Sequence, residues 1–167
     1  MAISQLPVRT AEDLVLPPGS SLDASFVFAV ATRTNAAHAA LGTELLGVEP
    51  HGATIRVLWR VDLTADGEGT WAGGVVSSLL DHVCSLAALM SLGDPRRYGG
   101  TLGLRVEHVR PLGRCPALVA HGLCEPSDGD VLRVDGRVFA DDAPDDTLAR
   151  GRCTIAVHRV GGGSVGR

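Results

Sequence analysis

The chain contains no lysine: all 15 of its basic residues are arginine, set against 19 acidic residues for a formal net charge of −4. Binding a nucleic acid as a polyanion needs clustered positive charge, and no such cluster is present, so no nucleic-acid partner is expected. Cysteines are few. Cys84, Cys115, Cys124 and Cys153 are widely separated and form no CxxC pair, which signals neither a zinc site nor a disulfide framework and leaves buried free thiols in a reducing cytoplasm. His38, His51, His108, His121 and His158 are scattered without ligand spacing, so no metal and no cofactor are expected. Long apolar runs are also missing: SFVFAVA at 25–31 is cut by Thr32-Arg33, short of the roughly 20 residues a membrane-spanning helix needs. The leading segment, MAISQLPVRTAEDLVLPPGSSLDA, carries Asp, Glu and a Pro-Pro-Gly break where a signal peptide would carry a basic start followed by its apolar core. The expectation is a cytoplasmic protein with no membrane partner.

What the chain does have is enough apolar material for one core. Its 167 residues are 45% hydrophobic and 20% charged, a globular composition, and a chain of this size buries about two-thirds of the surface its unfolded form exposes. Pro-Pro-Gly-Ser-Ser near the start and GGGSVGR at the end have no periodicity. Residues 1–23 and 161–167 therefore read as tails around a single domain at 24–160.

TNAAHAALG at 34–42 reads as a short helix with Thr34 as N-cap and Gly42 as its stop. TELLGVEPHGATIRVLWRVDL reads as a hairpin, with a turn at Glu49–Gly52 and Ile55, Val57 and Trp59 alternating with Arg56, Leu58 and Arg60. After the loop ADGEGT, GGVVSSLLDHVCSLAALMSLG forms the one long helix, free of proline and bounded by glycine. Four strand patterns follow: TLGLRVEHVRP, PALVAHGLCEP, DVLRVDGRVFAD and LARGRCTIAVHRV. This order predicts an α+β fold, an antiparallel sheet wrapped around one central helix.

On that helix, apolar residues occupy most of the circumference, and Ser77, Ser78, Asp81 and Ser85 fall on one narrow seam with His82 at its edge. A buried carboxylate without a partner is costly. Asp81 either satisfies neighbouring hydroxyls or an arginine of the sheet, or it meets water and donors in a pocket. Gly73 and Gly74 open the helix with unobstructed backbone N–H groups that can receive a developing oxyanion, and glycines there also suit a tight loop-to-helix turn. Along one helix Gly73 and Asp81 lie roughly 12 Å apart. If both serve one reaction centre, the acid comes from a second, antiparallel copy, giving two shared sites per dimer.

The Ala-Gly-Gly at 72–74, the seven-residue step to Asp81 and the later LRVEHVRP together resemble the hotdog-fold acyl-CoA thioesterases, in particular the phenylacetate-degradation (PaaI) type, over about residues 34–160. The resemblance implies hydrolysis of an acyl-CoA thioester by a homodimer that commonly pairs into a tetramer. By that resemblance the Gly73 N–H polarises the carbonyl, Asp81 attacks it or activates a water, and Thr101 orients the water. Two positions depart from the family pattern: Ala72 replaces a histidine, and Asp66 falls where many relatives carry an asparagine that donates to the carbonyl. Arg96 and Arg97 are the candidates for the CoA phosphates, and Trp71, Phe26 and Phe28 for the acyl pocket, with Trp59 assigned to the core. His82 is a further candidate at the site. A non-catalytic acyl-thioester binding protein is the second reading, and a hotdog dehydratase or hydratase ranks last, because it would need a histidine facing an acid across the site.

Overall fold

The computed structural model describes residues 36–93, 97–127 and 129–159. The expected tails, Thr34, Phe26, Phe28 and Arg96 lie outside the described residues. A short helix α1 (Ala36–Leu41) stops at Gly42, whose φ of 65° suits glycine. Strands β1 (Glu44–Glu49) and β2 (Gly52–Leu58) form the expected hairpin. A single 3₁₀ turn at Val61–Leu63 leads to the long helix α2 (Gly73–Leu92), closed by Gly93 in the left-handed region. Then come β3 (Arg97–His108), β4 (Ala117–Cys124), β5 (Val131–Ala140) and β6 (Ala143–Arg159).

All six strands join one sheet in the order β1-β2-β4-β5-β6-β3, every neighbouring pair antiparallel. The expected α+β architecture is observed. Two strands begin earlier than the sequence pattern suggests: β3 at Arg97 rather than Thr101, and β6 at Ala143 rather than Leu148. In β6 the polar stretch Ala143–Thr147 has no hydrophobic alternation, yet pairing with Phe139 and Ala140 through two bulges holds it in the sheet. Tertiary pairing overrides local pattern there.

Helix α2 lies across the sheet, with Val76, Leu79, Leu80, Val83, Cys84, Leu86 and Ala87 all but sealed from solvent. By hydropathy alone its 20 residues would suffice to cross a membrane; here their apolar faces form the core of the fold. The half-buried positions Ser77, Ser78, Asp81 and Ser85 run as the seam expected from the helical projection.

The helix comes close to the sheet because of three glycines that sit side by side on β4, β5 and β6. Gly122 pairs with Gly136, and Gly136 with Gly151. A Cβ at Gly122 would stand 2.9 Å from the Val83 carbonyl oxygen of α2. One at Gly136 would stand 2.8 Å from Leu80 Cδ2 and 3.1 Å from Cys84 Sγ, and one at Gly151 would lie 3.1 Å from Leu80. Gly136→Ala should therefore destabilise the fold by roughly 1–3 kcal/mol, the cost of overpacking a dense core. Gly113, with nothing within 4 Å of its would-be Cβ, supplies the control. Urea denaturation should show Gly113→Ala within about 0.5 kcal/mol of wild type, and equal stability of the two variants would dismiss the close-approach explanation.

Candidate active site around Asp81

Asp81 leaves the seam of α2 with its side chain 34% exposed. Its two carboxylate oxygens have different surroundings. Oδ1 accepts a 2.8 Å hydrogen bond from the Thr101 hydroxyl on β3. The Cys153 thiol on β6 stands 4.0 Å from the same hydroxyl oxygen as a donor, so the hydroxyl proton is directed at Asp81. A bulge between Thr101 and Gly103 interrupts the β3–β6 register at this point, where re-aiming a side chain is the usual result. The Cys84 thiol beneath is pushed up from its ordinary range by its hydrogen bond with Cys153, by burial and by nearby carboxylates including Asp81.

Oδ2 faces His38 Nε2 of α1 at 3.9 Å. His38 is buried and its ring stacks on His82, with centroids 3.8 Å apart and planes 7° from parallel. His82 in turn has its Nδ1 3.3 Å from the Thr43 hydroxyl. Burial, and then the nearby charge of His38, lower the His82 pKa from 6.5 to about 3, so this ring is neutral at neutral pH.

At the other end of the site, Ala72 caps α2 with extended backbone and no side-chain hydrogen bond. Gly73 and Gly74 are exposed, and the first N–H groups of a helix have no partner within it. The His108 ring, at the end of β3, stands 3.7 Å from where a Gly73 Cβ would be.

Among the residues expected at the site, Asp81 and Thr101 are brought together. Ser78 is half-buried on the seam, and the Ser77 hydroxyl donates to the Gly73 carbonyl at 3.2 Å, tying it to its own helix. Trp71 does not line a pocket: it is 1% exposed, and its Nε1 donates to Cys115 Sγ in the core. His82 is fully buried and cannot meet a substrate directly, because as the residue after Asp81 it turns towards α1. Asp66 turns into its own loop, where Oδ1 accepts the backbone N–H groups of Glu68, Gly69 and Thr70. The Thr70 side chain, together with those amides, holds its carboxyl well below the usual carboxylate range. Arg97 opens β3 rather than sitting in a loop, four residues before Thr101. Trp59 is partly buried against the core, as expected, with the Arg114 guanidinium 4.9 Å from its ring centre. A hollow of about 480 Å³ lined by Arg105, Glu107, Asp135, Arg150 and Arg152 opens on the sheet face opposite α2. It shares no residue with the Asp81 cluster.

His38 is the residue that sequence reasoning missed. A lone histidine in a short helix carries no spacing signal, and its role appears only once α1 packs on α2.

A family model, the thioesterase superfamily, matches residues 68–145, from the loop before α2 into the start of β6. The reaction class that goes with the superfamily is hydrolysis of a thioester. The PaaI protein of Escherichia coli, from the phenylacetic acid degradation operon, shares 20% identity at a TM-score of 0.65, covering 83% of this chain and 95% of its own. A thioesterase from Haemophilus influenzae shares 17% at 0.69, covering 78% and 88%. A conserved protein from Pseudomonas aeruginosa shares 22% at 0.66, covering 74% and 94%. These are likenesses of fold, and the hotdog architecture expected from the sequence is the one observed. No curated protein matches the sequence.

Because the folded state keeps His82 neutral below its ordinary 6.5, its contribution to stability is present above that pH and is lost as pH falls towards about 3. The loss is on the order of a few kcal/mol. His82→Phe, which keeps a stacking ring that cannot charge, should flatten the decline in unfolding free energy between pH 6.5 and 4; an unchanged slope would refute the assignment.

Proposed function

We propose that the chain hydrolyses an acyl-CoA thioester, R–CO–S–CoA, to the free acid and CoA, as a cytoplasmic homodimer with two shared sites. The observation that carries this reading is Asp81 itself: a partly exposed carboxylate on an apolar helix, with Oδ1 held by Thr101 and Oδ2 left to act. A carboxylate so placed takes a proton from water as the water oxygen attacks the carbonyl carbon, or attacks that carbon itself, expelling the thiolate to leave a mixed anhydride that water then cleaves to the free acid and the restored carboxylate. The Gly73 N–H of the other subunit receives the charge that builds on the carbonyl oxygen, Gly74 keeps the helix start open, and the leaving thiolate takes up the proton.

Three observations support a dimer. Gly73 and Asp81 are about 12 Å apart along one helix, too far to serve one carbonyl. Strand β3, which carries Thr101, is a 12-residue strand at the sheet edge, and an edge of that length invites pairing with a copy of itself. On it, Leu102 is 66% exposed. Pairing of two such dimers into a tetramer is compatible with this arrangement. Arg97 is the described candidate for a CoA phosphate. Ala72 favours a second reading, acyl-thioester binding without turnover, because it offers the carbonyl no side-chain donor.

A hydrolysis screen over short, long and aromatic acyl-CoAs should find turnover in the wild type. Asp81→Asn should lower kcat by about 10²-fold or more, and Thr101→Val by roughly tenfold, with far-UV circular dichroism unchanged. Binding of acyl-CoA with no turnover would favour the second reading, and an Asp81→Asn variant as fast as wild type would remove the mechanism. Sedimentation should give a dimer; a fully active monomer would rule out the shared site.

A further inference from the structure

We propose that His38 is a positioning residue for Asp81, reaching from α1 to the carboxylate oxygen that Thr101 leaves open and fixing how that oxygen is presented to the reacting centre. The inference rests on the reading of Asp81 as nucleophile or general base, and it adds a residue that neither the family pattern nor the sequence spacing indicates.

The geometry is one of successive restraints. The Arg60 guanidinium donates to the carbonyl oxygens of Ala40 and Leu41 at 2.8 and 3.2 Å, and also bonds Asp62 at 3.1 Å, which pins the C-terminal end of α1. Thr43 holds His82, and the near-parallel stack of His82 on His38 sets the plane of the His38 ring. Nε2 then stands 3.9 Å from Asp81 Oδ2, and a small movement of either side chain would bring the two into hydrogen-bond distance. Asp81 thus has a strand hydroxyl bonded to Oδ1 and a helix imidazole 3.9 Å from Oδ2. A carboxylate restrained at one oxygen only can still swing about χ2; a second contact removes that freedom, and orientation at a reacting centre is worth large rate factors.

The ionisable groups around the pair, among the described residues, are His82 and Cys84 on α2 and Cys153 on β6. His82 is neutral, and Cys84 is held as a thiol.

Two variants separate positioning from packing. His38→Phe keeps a ring to stack on His82 and deletes the donor; His38→Gln keeps an amide N–H near the place of Nε2. Phe should lower kcat about tenfold with KM changed less than twofold, and Gln should restore kcat to within about threefold of wild type, both at wild-type melting temperature. A second measurement is independent of turnover. Followed by NMR, the His38 ring should titrate at lower pH in Asp81→Asn than in wild type, since the substitution removes the neighbouring negative charge. A Phe variant as active as wild type, Gln and Phe equally impaired, or a His38 titration that Asp81→Asn leaves in place would overturn the proposal. If the wild type hydrolyses no thioester, the functional reading fails, and the titration alone decides the coupling of His38 to Asp81.

Discussion

The close seating of α2 on the sheet is the constraint from which the rest of the structure follows. An ordinary side chain at Gly122, Gly136 or Gly151 would meet the Val83 carbonyl, Cys84 or Leu80 at 2.8–3.1 Å, inside van der Waals contact. With those three positions bare, the Leu80 side chain and the α2 backbone settle against the strands themselves. On either side of the glycines the same strands supply the core: Leu118 and Ala120 on β4, Leu132, Val134 and Val138 on β5, Ala149, Cys153 and Ile155 on β6. Dense packing of this kind is stiff, and it turns the helix into a fixed rail for the polar residues along its outer edge.

Asp81 inherits its position from that rail. It follows Leu80, the residue locked over Gly136 and Gly151, so its Cα has little room to move. The bulge in β3 lifts Thr101 into reach of Oδ1, and Cys153, which is part of the core, directs the hydroxyl proton outward. His82, the next residue along, is buried against α1, and its neutrality is the result of the same dense environment. One packed helix thus supplies a carboxylate facing outward and an imidazole facing inward one residue apart.

The architecture was legible because its signals are periodic. Alternation marked β2, apolar stretches between turn residues marked β1, β4 and β5, the apolar circumference marked α2 as the core helix, and the serine seam around Asp81 was recoverable from helical projection alone. Register was not legible, and register is what lines up Gly122, Gly136 and Gly151, which lie 14 and 15 residues apart with no common local motif. The same reason hid His38, which meets Asp81 only through the packing of a six-residue helix. Trp71 and His82 were placed at the site by proximity in sequence, yet both carry rings large enough that the core claims them. Asp66 was placed where relatives carry a carbonyl-donating asparagine, whereas three loop amides within four residues give it a nearer set of partners.

That last placement bears on how much catalysis the chain can support. An anionic Asp66 aimed at the carbonyl would oppose the charge that forms there, but a carboxylate bound into its own turn, fully solvated, is screened and turned aside. Ala72 subtracts a donor without adding an opposing charge, and the backbone N–H of Gly73 is untouched by either change. A single well-placed oxyanion donor contributes roughly 3–4 kcal/mol in acyl-transfer enzymes, so under the proposed reading a site reduced to its backbone donor would keep a substantial part of the stabilisation available to it. The load then shifts to the acid. Under the proposed reading, with fewer groups holding the carbonyl, the rate would depend more steeply on the orientation of Asp81 Oδ2, which is where a positioning role for His38 would count.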